Sequence, residues 1–328
     1  MIRIPTLIFA STMIVFASFA AKAAELHEFV AGTPILAEEI NDNFRLLQSA
    51  DGIRVNCDSG GSLVGRAFPS TPGLMRMVVS GSCSEGTLAL NGQNMIIEGE
   101  EGAQLTFSDI RLGPNSGLLL KNIGLTVTDY FTLKAASLYV DGSALMVGQL
   151  DGRQASRVTF TESSSLSHPQ GAGAGELVMR GGHLTVHQGS SLGVQITAMN
   201  TEVVIGEGSI VLGDISVRDG GLRFACDSSW GLDCGAMDGL NISAINSRVA
   251  VEAPEPAPLL NIAVANGSFF GSICGDSLAL QVAQAGVQSG GGDCPQSNVS
   301  LELSTAIITP PEAFSVDSDE LSVVRIDE

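Results

Sequence analysis

The sequence predicts an all-β solenoid with a short α-helix near its N-terminus. Short apolar segments of alternating pattern recur after residue 85, about seven to thirteen residues apart, which is typical of sandwiches, barrels and solenoids. The 39 glycines and 5% aromatic residues indicate many tight turns around an aliphatic core. Only residues 31–52 show clear helical periodicity.

The alternating segments define the predicted strands. They are TLAL (87–90), NMIIEG (94–99), AQLTF (103–107), GLLLKNIGLTV (117–127), ASLYV (136–140), ALMV (144–147), RVTF (157–160), ELVM (176–179), HLTV (183–186), GVQI (193–196), EVVI (202–205), IVLGDISV (210–217) and GLRF (221–224), with LNISAI, RVAVE, LLNIAV and SLALQV further on. An immunoglobulin-type sandwich would place its tryptophan in a central strand, whereas Trp230 lies in a loop between two cysteines. Coils of about 20 residues therefore explain the pattern best.

Residues 55–107 resemble the first coils of known β-helices. The turns VSGSC (79–83) and IEGEEGAQL (97–105) are similar to those of right-handed parallel β-helix proteins of the pectate-lyase-like class. The resemblance implies a right-handed parallel β-helix over residues 53–309, followed by an acidic tail over 310–328. A solenoid exposes unpaired backbone at its ends, and these ends need caps.

Residues 24–52 are predicted to carry the capping helix. Thr33 suits an N-cap, Pro34 suits the first helical position, and Gly52 suits the stop. One face of this helix forms a seam of Leu36, Ile40, Asn43, Phe44 and Leu47. Two interpretations stay open, because the seam can cover the first coil or can join copies of the chain in a homo-oligomer such as a trimeric fibre.

The N-terminus predicts export. Arg3 precedes an apolar run over residues 6–21, and Ala21-Lys22-Ala23 has the form of a signal-peptidase site, so residues 1–23 are predicted to be a signal peptide. The pattern F-x-AGTPI-x-A-x-x-N-x-NF over residues 29–44 resembles a segment of many exported bacterial proteins. We expect a secreted, cell-surface or periplasmic protein with no membrane span after cleavage.

Six cysteines in an exported chain predict disulfides. Six cysteines allow 15 pairings, and no CxxC cluster indicates a metal site. Spacing favours three local pairs, which are Cys57–Cys83, Cys226–Cys234 and Cys274–Cys294.

The charge limits the partners. The formal net charge is −19, and it falls to −21 when Arg3 and Lys22 leave with the signal peptide. Such a chain is expected to repel nucleic acid and anionic lipid. The sequence shows no basic groove, so an anionic polysaccharide is not expected as a ligand either.

The catalytic residues are unknown from the sequence. The paired aspartates of glycoside hydrolases and the Arg-x-Pro-x-x-Arg of lyases do not occur. His183 and His187 share one side of a strand but lie about 13 Å apart, too far for one metal. No cofactor is predicted; calcium at a turn between Asp214 and Asp219 is the weaker alternative.

The predicted function is that of an exported structural or adhesive solenoid, which binds extracellular glycans or a cell-surface ligand on its outside. The alternative is a polysaccharide lyase or glycoside hydrolase with an unrecognised site. An enzyme should gather three or more carboxylates, or a cluster of a carboxylate with Arg or Lys, in one groove. A scaffold should show scattered outward polar side chains.

Overall fold

A computed structural model describes residues 52–328 except 65–73, 162, 172–173, 187–188, 207–208, 226–239, 253–259, 273–277, 284–285, 291–296, 303–304, 309–313, 319–322 and 327–328. The described residues form 26 strands, which belong to one compact unit, Ala50–Glu328. In chain order they are β1 (Ile53–Asn56), β2 (Leu74–Ser80), β3 (Ser82–Leu90), β4 (Asn94–Gly99), β5 (Gln104–Leu112), β6 (Gly117–Lys121), β7 (Gly124–Lys134), β8 (Ser137–Asp141), β9 (Ala144–Thr161), β10 (Ser165–Ser167), β11 (Gly175–Val186), β12 (Ser191–Leu192), β13 (Val194–Ile205), β14 (Ile210–Val211), β15 (Ile215–Arg218), β16 (Gly221–Ala225), β17 (Leu240–Ile245), β18 (Arg248–Glu252), β19 (Leu260–Ala265), β20 (Ser268–Ser272), β21 (Leu278–Ala283), β22 (Gly286–Gly290), β23 (Ser297–Glu302), β24 (Thr305–Ile308), β25 (Phe314–Ser318) and β26 (Val323–Ile326).

All the strand pairs are parallel, and each strand pairs with strands of the neighbouring coils, as in a solenoid. The pairings divide the wall into three faces. Face A holds β1, β2, β4, β6, β8, the last parts of β9, β11 and β13, and then β16, β18, β20, β22, β24 and β26. Face B holds the first parts of β3, β5, β7 and β9, and then β10, β12 and β14. Face C holds the later parts of β3, β5 and β7, the middle of β9, the first parts of β11 and β13, and then β15, β17, β19, β21, β23 and β25.

Strand β9 shows one whole coil without interruption. Its residues 144–147 lie in face B, 149–153 in face C and 157–161 in face A. Gln154 and Ala155 turn the corner with φ of 56° and 62°. Several coils advance by 20 residues, since Gly117 pairs with Ser137 and Ser137 pairs with Arg157. This length agrees with the spacing that the sequence predicts.

Inward side chains stack from coil to coil in one continuous aliphatic core. On face A the register places Leu118, Leu138 and Val158 above one another, all buried. Parallel in-register pairing puts equivalent positions about 4.8 Å apart, so each buried side chain contacts the equivalent one in the next coil. The core therefore follows from the two-residue alternation that the sequence shows.

Buried hydroxyls replace aliphatic groups at the corner from face A to face B. Four serines lie there in successive coils, Ser143, Ser164, Ser190 and Ser209. The Ser164 hydroxyl accepts from Ser143 N at 3.4 Å and donates to the carbonyl oxygen of Val140 at 2.9 Å. Corners turn strand backbone out of the ladder, and these hydroxyls bond the backbone groups that the turn exposes. Among the described residues, Ser209 Oγ has no hydrogen-bond partner, and it marks the end of this series.

Cys57 and Cys83 form a disulfide, as the spacing predicts, with the two Cα atoms 5.0 Å apart. Both cysteines are buried, and the bond joins the turn after β1 to the start of β3. It therefore links the first coil to the second. Among the described strands, β1 pairs only with β2, so this bond lies at one end of the solenoid. The other two predicted pairs, Cys226–Cys234 and Cys274–Cys294, lie outside the described residues.

Loss of this disulfide should destabilise the protein. The cysteines are 26 positions apart, and a closed loop of that size restricts the unfolded chain by about 3 kcal/mol. We expect Cys57→Ala/Cys83→Ala to lower the free energy of unfolding by that amount in urea denaturation. The oxidised and reduced wild-type chains provide the matched comparison, and equal midpoints for these two would contradict the prediction.

The all-β solenoid prediction is confirmed, because the described residues contain parallel strands and no helix. The predicted capping helix and its seam, Leu36, Ile40, Asn43, Phe44 and Leu47, lie outside the described residues, and the right-handed sense of the coil stays a prediction. Strand pairing continues past residue 310, where β25 pairs with β23 and β26 with β24. No helix in the described part of the chain is long and apolar enough to cross a bilayer.

Candidate functional site

Polar side chains stack on the outer side of face C. Alternation in β7 buries Phe131 completely and leaves the adjacent Tyr130 59% exposed. The register then places one outward residue of each coil above the next. We call this stack the polar column; its members are Thr87, Asp109, Tyr130, Gln149, Glu176, Gln195, Asp214 and Asn241.

Hydrogen bonds hold parts of the polar column in place. Thr197 Oγ1, one strand over, donates to Glu176 Oε1 at 3.1 Å. Within the column, Asn241 Nδ2 donates to Asp214 Oδ1 at 2.9 Å. Members of the column are about 4.8 Å apart from coil to coil, so the stack presents donors and acceptors at a regular spacing along the solenoid axis.

A second stack lies at the end of the face C strands, just before the corner to face A. We call it the cation column; its members, in coil order, are Lys134, Arg153, Arg180, Met199 and Arg218. It spans about 19 Å over five strands. Four of the chain's 16 Lys and Arg residues meet here, on a protein whose formal net charge is −19. The sequence indicated no basic groove, and this stack is a row of cations on the outer side of face C that the sequence did not predict.

Asp151 lies between two arginines of the cation column. Its Oδ1 accepts from Arg180 Nη1 at 2.8 Å, and its Oδ2 accepts from Arg153 Nε at 2.8 Å and also from Arg153 Nη2. The Asp151 side chain is 9% exposed, whereas those of Arg153 and Arg180 are 59% and 44% exposed. The hydrogen bonds and the negative charge of Asp151 raise the pKa of Arg153.

Asp151 brings one carboxylate together with two arginines on the outer side of face C. Both oxygens of Asp151 are engaged by guanidinium groups, so the carboxylate is not free to act as a general base. Glycoside cleavage by the usual route needs a pair of carboxylates beside the bond. Among the described residues, no three His, Cys, Asp or Glu side chains lie close enough to hold a metal ion.

The other candidate residues are separated by the fold. His183 lies exposed on face A, between Arg157 and Glu202 in the register, and His187 lies outside the described residues. Asp214 and Asp219 flank the two ends of β15. Each accepts from an asparagine amide, Asp214 as described above and Asp219 from Asn246 Nδ2 at 3.0 Å.

Sequence reasoning missed the cation column because its successive basic members are 19, 27 and 38 residues apart and belong to no strict repeat. A weak local signal was present. Each basic residue stands directly before its corner, and the four corner segments read KAAS (134–137), RQAS (153–156), RGGH (180–183) and RDGG (218–221). A basic residue followed by small corner residues could therefore have been aligned from coil to coil.

The chain is an all-β parallel β-solenoid whose outer side on face C carries two regular stacks of polar and basic side chains. Comparisons with protein-family models, with curated proteins and with solved structures give no match to this chain.

Proposed function

We propose that this protein is an exported structural or adhesive β-solenoid that binds extracellular glycans along the outer side of face C. The polar column is the observation that carries this proposal. Glycans are chains of hydroxyl-bearing rings, and they are recognised by side chains that donate and accept hydrogen bonds at regular intervals. Amides, hydroxyls and carboxylates stand in this column coil after coil.

Tyr130 adds an apolar surface to the column. Its exposed ring offers a flat face beside the Gln149 amide in the next coil. A tyrosine combines such an apolar body with a polar hydroxyl, which suits it to surfaces that are partly wet. A sugar ring, apolar on its C–H face and polar at its edges, has the matching character.

The solenoid holds the side chains of the polar column in a rigid row, which favours binding. The outward side chains stand on strands that pair on both sides and pack on a continuous core. Groups that are ordered before binding lose little conformational entropy when the ligand arrives. The Cys57–Cys83 disulfide supports the export part of the proposal, because such bonds persist in oxidising compartments.

A glycan array probed with the full chain tests the proposal, paired with reducing-sugar and unsaturated-uronate release assays with and without calcium. We expect binding without release of sugar. The variant Tyr130→Ala/Gln149→Ala should lose most of the binding. The matched control Gln104→Ala/Thr106→Ala, on the outer side of face B, should retain it.

Each outcome decides part of the proposal. Turnover would replace the scaffold reading with the alternative, a polysaccharide lyase or hydrolase. No binding to any glycan would overturn the glycan part. Equal losses in the two double variants would show that face C is not the binding surface.

A further inference from the structure

We infer that the cation column is a binding site for a linear anionic polysaccharide, carrying sulfate or carboxylate groups, that lies along the solenoid axis. This inference rests on the proposed function and names the class of glycan. It reverses the expectation that an anionic polysaccharide is not a ligand, because that expectation rested on the absence of a basic groove in the sequence, whereas the fold stacks cations from separate coils.

The stacking of like charges is the first argument. Lys134, Arg153 and Arg180 occupy three successive strands, so their Cα atoms are about 4.8 Å apart. Three cations with one carboxylate between two of them leave a net positive charge along these strands. An anionic polymer lying along the column would be attracted to this charge.

Asp151 is the second argument, because it positions two of the cations. Its nearly buried carboxylate bonds Arg153 from the same strand and Arg180 from the next coil. Each guanidinium carries further N–H groups besides those that bond Asp151. A held guanidinium presents its donors as a planar fork, which suits the paired oxygens of sulfate and carboxylate.

The neighbouring charges limit the shape of the ligand. Glu176 and Asp214 lie in the polar column on one side, and Glu202 lies on face A on the other. Asp219 follows Arg218 at the corner. A single polymer chain would contact the column alone, whereas a nucleic acid duplex, whose major groove is itself about 12 Å wide, would also cover these carboxylates.

Further basic residues lie beyond the corner. Arg157, His183 and Arg248 occupy equivalent outward positions on face A, with Glu202 among them. Burial lowers the pKa of Arg157. Arginines therefore lie on both sides of the corner between faces C and A, and the longest uninterrupted basic series is Lys134, Arg153 and Arg180 on face C.

Three polymers of one backbone test the inference: dextran sulfate, carboxymethyl-dextran and neutral dextran. Binding of each to the full chain is measured by calorimetry at several salt concentrations. We expect the two anionic polymers to bind with an affinity that falls as salt rises, and neutral dextran to bind at least about ten-fold more weakly. The sulfate and carboxymethyl arms show which anionic group the column prefers.

Matched variants locate the site. Lys134→Gln/Arg218→Gln removes two exposed cations at the ends of the column without changing the Asp151 contacts. Arg54→Gln/Lys121→Gln removes the same charge elsewhere on the solenoid. We expect the first variant to weaken dextran sulfate binding about ten-fold and to flatten its salt dependence. The second should bind like the wild-type chain.

The outcomes separate this inference from the proposed function. Neutral dextran bound as tightly as the anionic polymers would overturn the inference and leave glycan binding intact. If no polymer bound here and no glycan bound on the array, both would fail. If both double variants bound dextran sulfate equally weakly, binding would depend on the total charge of the chain and not on the cation column, and the inference would be wrong. Tighter binding of a duplex DNA oligonucleotide than of dextran sulfate would assign the column to another class of macromolecule.

Discussion

Phe131→Ala is expected to lower the free energy of unfolding by about 3–5 kcal/mol. Phe131 is fully buried on the inner side of face C, where the register places it between Ile110 and Leu150 of the neighbouring coils. Truncation removes a large apolar side chain and leaves a cavity, because the coils on both sides are fixed by their own backbone pairing. Urea denaturation followed by circular dichroism measures the effect.

Tyr130→Ala is the matched control. Tyr130 is the preceding residue on the same strand and points outward. Its truncation is expected to change the free energy of unfolding by no more than about 0.5 kcal/mol. Similar losses for the two variants would contradict the assignment of inner and outer sides, and with it the register that builds both columns.

Gly182→Ala is expected to cost about 4 kcal/mol, since it combines backbone strain with a backbone clash. Gly182 turns the corner from face C to face A with φ of 118°, which L side chains rarely adopt. A Cβ at this position would lie 1.9 Å from the carbonyl oxygen of Ser156 in the preceding coil. Relief would require the two coils to separate at this corner.

Gly102→Ala separates the two contributions. Gly102 has φ of 76°, but a Cβ there would meet nothing within 4 Å. Its cost should be that of the backbone conformation alone, about 1–2 kcal/mol. Equal losses in urea denaturation would mean that the close approach of the coils at Gly182 is not as described.

The strands were predictable from the sequence wherever inward apolar and outward polar residues alternate clearly. ELVM and HLTV, predicted as separate segments, are the two halves of β11, one in face C and one in face A. The Gly181-Gly182 corner between them gave the correct break in the pattern; β11 runs through it as one strand, but its register against β9 shifts between Arg180 and Gly182. The Cys57–Cys83 pair was also predictable, because these two cysteines are much closer to each other in the sequence than to the remaining four.

Residues 149–153 show why other parts were not predictable. Asp151, Gly152 and Arg153 together have the composition of a turn, yet they form a strand of face C. Gly152 points inward, and Met179 of the next coil occupies the space beside it, with Sδ 2.6 Å from where a Cβ would lie. A neighbouring coil supplies the packing that this segment lacks, and no local pattern contains that information.

The sequence by itself determined the inward and outward alternation, the coil length and one disulfide, because each depends on residues close together in the chain. Only the tertiary structure decided which outward residues share a column. Parallel pairing brings residues one coil apart to within about 5 Å. Unequal corners make the coil length vary, from 17 residues between Ser297 and Phe314 to 27 between Gly221 and Arg248. The cations of face C therefore meet in space without any constant spacing in the sequence.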